Sequence, residues 1–356
     1  MTLLLLSILI PLFINVNNSK FINIFSLFFS FLLFGFCVHT NDTSIYLNRY
    51  YDWDNSWRLD ITEPLYTWTV AFFRELNFSY QDFFCVVAAV FVICLTIFIN
   101  KLTKKISYVV GFILLSIYPM LVTLQRTTYS FCFVLLAFYC LFFCRKSFLK
   151  AGLFSVLIIM SSMIHSMCIL FLIFGVAYFI ETQRLKKYLI LAFVSLVIFV
   201  SLINILFQQF FSYLNMSEKY DLIMTQHSGN ARDTFIITVL AIFRVLSVIV
   251  LPIGIDRILS RNYKVALSVS DKCILKLNYV GFLLCPLVYI EHDFYRILYP
   301  FAIMNFCLAS HYLKYNYCKW YSLFCCLNIG YWFIYRPAFE HVFLEVYSNN
   351  SIFDFM

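Results

Sequence analysis

Residues 83–99 read Phe-Phe-Cys-Val-Val-Ala-Ala-Val-Phe-Val-Ile-Cys-Leu-Thr-Ile-Phe-Ile, an unbroken uncharged run closed by Lys101, Lys104 and Lys105. A helix needs about 17–25 apolar residues to cross the hydrocarbon core of a bilayer, and this run is long enough. The rest of the chain repeats its character. Of 356 residues, 63% are hydrophobic, 21% aromatic and only 12% charged, against about 25% charged residues in an ordinary soluble domain. A soluble fold could not hide so much apolar surface, so lipid is the expected solvent and the expected fold is all-α and polytopic.

Working outward from 83–99, twelve apolar runs qualify as spans: 2–16, 21–38, 83–99, 107–124, 128–144, 151–164, 166–180, 188–207, 234–251, 277–290, 297–312 and 320–335. The first lacks the basic n-region and the small-residue cleavage site of a signal peptide and reads as a retained helix. The short pair around His165 is compatible with a re-entrant hairpin, which is tolerated where it lines a cavity. No linker, charge block or repeat divides the chain, so residues 1–356 read as a single transmembrane domain of about twelve helices.

Charge orients it. If residues 39–82 lie outside, the inner side collects Lys20, Lys101, Lys104, Lys105, Arg145, Lys146, Lys150, Arg184, Lys186, Lys187, Arg257, Arg261, Lys264, Lys272, Lys276, Lys314 and Lys319. These are 17 of the 26 basic residues, and the inverse arrangement would violate the positive-inside rule at nearly every loop. Both termini and the loops 39–82 and 208–233 are then expected outside. Of the other nine basic residues all but Lys219 are arginines, the side chain that forks onto phosphate or carboxylate.

Several functions fall away. The net charge of +8 comes from short clusters between spans rather than a basic stripe, so no nucleic-acid partner is expected. No P-loop and no dinucleotide fingerprint occurs. Most of the 13 cysteines lie inside apolar runs with no C-x-x-C among them, and read as small hydrophobes. No Cys/His set has zinc spacing, so neither a metal nor another cofactor is expected.

The outer loop 39–82 mixes carboxylates such as Asp42, Asp52, Asp54 and Glu63 with Tyr46, Tyr50, Tyr51, Trp53, Trp57, Tyr66 and Trp68. Two readings stay open: rings that stack on sugars beside carboxylates that accept from hydroxyls, or an interfacial aromatic belt. The second long loop, 208–233, carries Glu218, Asp221, His227 and Arg232.

Ionisable groups at membrane depth are the strongest functional pointers, because they are costly unless they face a partner or a wet cavity. Arg244 lies midway along 234–251, too deep to snorkel to either surface, and needs a buried partner or a bound anion. Arg126 opens the run 128–144, where a helix N-terminus adds free N–H groups to an anion site; an interfacial anchor is the alternative. His165 separates two apolar runs, and reads either as a packing residue or as a proton-transfer group. Glu291-His292-Asp293-Phe294-Tyr295-Arg296 is a polar cluster at an outer helix end, either a self-neutralising cap or a base beside an anion-binding arginine.

The order of these features resembles the EpsG/Wzy family of O-antigen and capsular polysaccharide polymerases. The resemblance runs over residues 1–312. It rests on Asp42 and Tyr46 four apart, Glu63-Pro64 before the next helix, and Arg126 at an outer helix start. It continues through Arg145-Lys146, His165-Ser166 after small residues, and Tyr295-Arg296-Ile297-Leu298-Tyr299. Where members often carry an Arg before Gly-x-Asp, this chain has Cys37-Val38-His39-Thr40-Asn41-Asp42. The resemblance implies a membrane-embedded (GT-C-like) glycosyltransferase that needs no metal. It would move a growing glycan from undecaprenyl diphosphate onto a lipid-linked repeat unit at the outer face of the bacterial inner membrane. Arg126, Arg244 and Arg296, with Asp42 and Tyr46, are then the expected substrate contacts, and Glu63, His165 or Asp293 the expected base. Expected partners are undecaprenyl-diphosphate-linked oligosaccharides and membrane lipid, with a chain-length regulator and a flippase as further candidates. Rival readings are a metal-dependent transferase using a sugar on a lipid monophosphate, a lipid-linked-oligosaccharide flippase, and a sugar O-acetyltransferase.

Overall fold

The computed structural model describes residues 19–37, 40, 42–51, 63–198, 267–283 and 296–312, with short pieces at 9–10, 12–14, 248, 252–254 and 346. Arg244, Asp293, loop 208–233 and run 320–335 lie outside the described residues. Among those described, the regular structure is helical and no strand occurs. The chain divides into two compact units, 1–172 with 302–356, and 173–301.

In the first unit, α1 (Lys20–Gly35), α2 (Thr43–Tyr51), α3 (Pro64–Glu75) and α4 (Tyr80–Leu102) come first, followed by α5 (Ile106–Ser116) and α6 (Tyr118–Thr123). Then come α7 (Gln125–Phe143), α8 (Ser147–Ser162) and a 3₁₀ turn, Ser166–Phe171. Helix α4 grows from the run that opened the sequence. Ser79 and Asp82 form a reciprocal capping box at its start, which satisfies two N–H groups that have no partner within the helix. Its 23 residues extend about 35 Å at 1.5 Å per residue, enough to span the roughly 30 Å hydrocarbon core. Helices α4 and α7 are long and apolar enough to cross a membrane.

The surface of α4 identifies its solvent. Val86, Val90, Ile93 and Ile97 are exposed, while Phe84, Phe91, Phe98 and Ile99 on other faces are buried. A helix that is apolar on both its packed and its open faces belongs in lipid rather than water. Helix α1 repeats this, with Phe21, Ile24 and Phe28 outward and Phe29, Leu33 and Phe34 inward.

Helices α4 and α7 run parallel. At their N-termini the Tyr80 hydroxyl donates to the Gln125 side chain, and towards their C-termini the Phe98 and Phe142 rings are 6.3 Å apart. Helix α1 runs opposite to α4. The Gly35 carbonyl at its end accepts from Gln81 and Cys85 at the start of α4. Asn23 near its start grips the turn after α4, donating to the Lys104 carbonyl at 3.3 Å and accepting from the Ser107 N–H at 2.9 Å. The run 107–124, expected as one span, is two helices: α5 ends before Ile117 and α6 carries Pro119 in its first turn, where a proline lacks no needed N–H. A second break at Leu124 then lets α7 start afresh.

The loop 39–82 is less irregular than expected. Helices α2 and α3 occupy part of it, and Tyr46, Tyr50 and Tyr66 pack with Val70, Tyr80, Phe83 and Ile164 into one cluster. These tyrosines are core, whereas Tyr51 and Trp68 remain exposed. The Tyr50 hydroxyl donates to the Phe78 carbonyl at 2.8 Å, and Tyr51 accepts from the Tyr80 N–H at 3.1 Å, so α2 is docked on the corner that begins α4. From Ala302 on, the described chain closes against the far end of α4: Ser310 donates to Thr103 at 2.6 Å, and a His311 ring nitrogen lies 2.8 Å from the Leu102 carbonyl.

In the second unit, α9 (Leu172–Phe179) is followed by α10 (Thr182–Ile198) and α11 (Val269–Leu283). Lys276 donates to the Tyr178 carbonyl at 2.6 Å, and Lys186 lies 4.6 Å from the centre of the Tyr279 ring. Helix α12 (Leu298–Tyr312) follows, and the ring of Phe301, just after its first turn, meets Phe174 at 4.8 Å.

Candidate active site

Three distant segments meet at Glu63. Pro64 supplies the first residue of α3, and the residue before a proline is kept out of helical backbone. Glu63 therefore sits at the N-cap with φ −133° and ψ 56°, and its side chain does not cap its own helix. The open N–H groups of Leu65 and Tyr66 instead donate to the Met163 carbonyl, at 3.0 and 3.4 Å. That carbonyl is available because α8 stops there. His165 is extended, with φ −145° and ψ 108°, before the 3₁₀ turn begins.

The exchange runs both ways. The Ser166 N–H donates to Glu63 Oε1 at 3.4 Å, and His165 Nδ1 lies 3.4 Å from the same oxygen. Arg126 Nη1 donates to Oε2 in an ion pair. Glu63 is 1% exposed. A carboxylate this deeply buried is tolerable only when paired and hydrogen-bonded, and here it has a guanidinium, a backbone N–H and an imidazole around it.

Arg126 follows from the break at Leu124, which places it in the first turn of α7 with free helical N–H groups nearby. Its guanidinium stands 5.9 Å from the centre of the Tyr66 ring, a cation–π distance. Tyr46 and Tyr66 both act on its charge. The Nε–H of Arg126 is buried and has no hydrogen-bond acceptor among the described residues. Behind the site, Ser161 Oγ donates to the Ser130 carbonyl at 2.9 Å and Cys168 Sγ lies 3.3 Å from Ser130 Oγ, locking α8 and the 3₁₀ turn onto α7.

The structure thus brings together four residues that the sequence singled out: Glu63, Arg126, His165 and Tyr46. Asp42 lies one turn before Tyr46, whose N–H donates to its carbonyl at 3.1 Å. Arg296 stands in a short 3₁₀ segment just ahead of α12, half-buried. Arg49 was not singled out. It lies one turn beyond Tyr46 on α2, within electrostatic range of Arg126, Tyr66, Glu63 and Tyr46; burial first, then the charge of Arg126, pushes its guanidinium below the ordinary arginine range. Its i, i+3 spacing from Tyr46 is a usable signal once 43–51 is read as helix. Burial also pushes the Tyr66 phenol upward, so it stays a neutral hydroxyl.

Chemically, Glu63 is engaged by Arg126 through Oε2 and faces the His165 ring through Oε1. It is placed to orient His165, whose other ring nitrogen can then take a proton. Among the described residues no three His, Cys, Asp or Glu side chains gather as metal ligands.

No curated protein and no solved structure matches the chain. The EpsG family profile matches residues 20–346, a stretch that contains Glu63, Arg126 and His165, and the chain is a member of the EpsG family, a polysaccharide polymerase-like membrane protein.

Proposed function

We propose that this protein polymerises lipid-linked oligosaccharides at the outer face of a bacterial inner membrane, for O-antigen or capsule, as a GT-C-like enzyme of about twelve helices. The observation that carries the reading is the buried Glu63, held between Arg126 and His165 in a member of the EpsG family. The acceptor hydroxyl oxygen attacks the anomeric carbon of the donor glycan, and the bond from that carbon to the diphosphate oxygen breaks. The electron pair leaves with the diphosphate, whose growing charge Arg126 stabilises, with Arg244 and Arg296 as further phosphate contacts. The hydroxyl proton passes to Nε2 of His165, while Glu63 holds the Nδ1 side of the ring. Leaving-group stabilisation by fixed guanidinium groups is electrostatic catalysis and asks for no metal. Asp42 would order the approach to the site through Tyr46, and Asp293 would offset Arg296.

Arg126→Lys tests the reading. Lysine keeps the charge that Glu63 needs but loses the planar fork. The lost charge-assisted contact is worth about 1.5–3 kcal/mol, roughly ten- to hundredfold in rate. Cells carrying the variant should display surface glycan of a single repeat unit, with the protein present at normal level in the membrane. Normal long chains would reduce Arg126 to a structural partner of Glu63. Loss of the single unit as well would indicate failure before polymerisation and favour a flippase.

A further inference from the structure

Helix α3, with 12 residues, is too short to span a bilayer, yet its open side is too apolar for water. Tyr66, Val70 and the partly buried Phe73 pack into the cluster that holds Tyr80, Phe83 and Ile164. On the other face Trp68, Phe72 and Leu76 follow one another at four-residue steps, each more than half exposed. Contacts along the helix fix its direction. At its start Glu63 pairs with Arg126 in the first turn of α7. At its middle the Thr69 hydroxyl lies 3.0 Å from the Tyr129 hydroxyl, one turn further along α7. Near its end the Phe73 ring stands 5.2 Å from that of Phe83, one turn into α4. The starts of α4 and α7 share one level, joined by Tyr80 and Gln125. Laid along these spans, α3 would carry its end about 18 Å, or roughly three turns, away from that level. Both its ends instead meet the opening turns of spans, so α3 crosses them.

A helix that crosses spans at the level where they begin lies in the plane of the membrane surface. The corner after it is polar, with Glu75, Asn77, Ser79 and Asp82 exposed, and the chain reverses at Asn77, whose φ is 59°, to enter α4. Helix α4 in turn exposes Val86 and Val90, on the side already assigned to lipid. The stripe thus belongs to a stretch of chain that passes from a water-facing corner to a lipid-facing wall. Tryptophan is a side chain that favours this boundary. We propose that α3 lies flat in the headgroup–acyl boundary of the leaflet at the site end, with Trp68, Phe72 and Leu76 sunk about 5–10 Å into its lipid. The lipid is then a partner that sets the depth of the site. Glu63 caps the start of this helix, so its pair with Arg126 is held near the level of the lipid phosphates. The anchor is independent of the reaction the site performs.

The test uses the full-length chain in nanodiscs of phosphatidylcholine that carries bromine either high on the acyl chain, near the headgroup, or low, near the bilayer centre. Bromine quenches the emission of an indole it touches. Trp68→Phe keeps an apolar ring on the exposed face, so the core is undisturbed, and wild-type emission minus that of the variant is the signal of Trp68. That signal should be lost to shallow bromine, lost less to deep bromine, and kept when iodide is added to the buffer. Loss to iodide with none to either bromine would place the stripe in water and overturn the proposal. Insensitivity to all three quenchers would also overturn it, because another protein surface would then cover the stripe. Loss chiefly to deep bromine would show α3 running along the spans, and the flat anchor would fall. A second probe makes the result independent of one side chain. Phe72→Trp in the Trp68→Phe background moves the indole one turn along α3 and should repeat the order, shallow before deep, with no loss to iodide. A marked change of depth between the two positions would mean that α3 is tilted into the leaflet rather than laid in its plane.

Discussion

Glu63 shows how much one buried carboxylate organises. Removing a charge from water costs several kcal/mol, and the pair with Arg126 repays it only while both partners remain. Glu63→Gln should therefore destabilise the protein by about 3–5 kcal/mol, because Arg126 is left as a buried charge with too little compensation. Glu63→Gln combined with Arg126→Gln removes both charges and should recover most of that stability. Neither variant should make long glycan, since the single one disorients His165 and the double one also lacks the phosphate contact. Thermal unfolding in detergent beside a chain-length assay separates the two effects. A double variant no more stable than the single one would mean that the ion pair is not what Glu63 is there for. Arg126 and His165 were legible in the sequence as polar residues in places where lipid makes them expensive, and Glu63 through the Glu63-Pro64 pair of the family resemblance. That they share one spot was not legible, because 63 and more than 100 residues separate Arg126 and Ser166 from Glu63 and no periodicity links them.

At the scale of elements, the site depends on a helix that stops. Helix α8 ends at Ser162, and the free Met163 carbonyl and Ser166 N–H become the dock for α3 and Glu63. The stop is held by Ser161, fully buried and bonded to the Ser130 carbonyl of α7. Small residues let helix backbones approach closely in lipid. Ser161→Ala should cost only about 0.5–1.5 kcal/mol, the net value of a hydrogen bond. Ser161→Leu should cost about 1–3 kcal/mol through overpacking and, by pushing the break away from α3, should lower activity further than its stability explains. Equal activity in the two variants would show that the break is not positioned by this crossing. The sequence announced the break through two short runs flanking His165, and announced α4 and α7 through long ones. It hid α2 and α3, since nine and twelve residues with charges and aromatics on several faces resemble an aromatic loop. It also hid the split between α5 and α6, where Pro119 was the available signal and hydropathy ran straight through it.

At the scale of the molecule, the basic clusters and the site lie at opposite ends of the first unit. Helices α4 and α7 are parallel, so Lys101, Lys104 and Lys105 after one and Arg145 and Lys146 after the other share an end. Lys20, at the start of the antiparallel α1, joins them through the Asn23 grip on the turn after α4. Glu63 and Arg126 lie at the other end, with Tyr80 and Gln125. The loop charges that suggested an orientation thus acquire a physical axis. On the proposed orientation, which follows the positive-inside rule, the lysine end would lie in the cytoplasm and the site end would face outward, where a donor would have to be lipid-linked. A substrate gripped by arginines also predicts that activity persists after exhaustive chelation. Loss that manganese or magnesium restores would favour a transferase using a sugar on a lipid monophosphate. The axis itself is tested by fusing alkaline phosphatase, which is active only outside the cytoplasm, after residue 60 and after residue 147. The first fusion should be active, because it follows α2 at the site end; the second should be inactive, because it follows the Arg145-Lys146 turn. Both results are needed, since α7 joins the two ends and one active fusion alone could reflect a misinserted chain. The reversed pattern would place Glu63, Arg126 and His165 on the cytoplasmic side, within reach of nucleotide sugars, and the case for a lipid-linked donor would collapse with it.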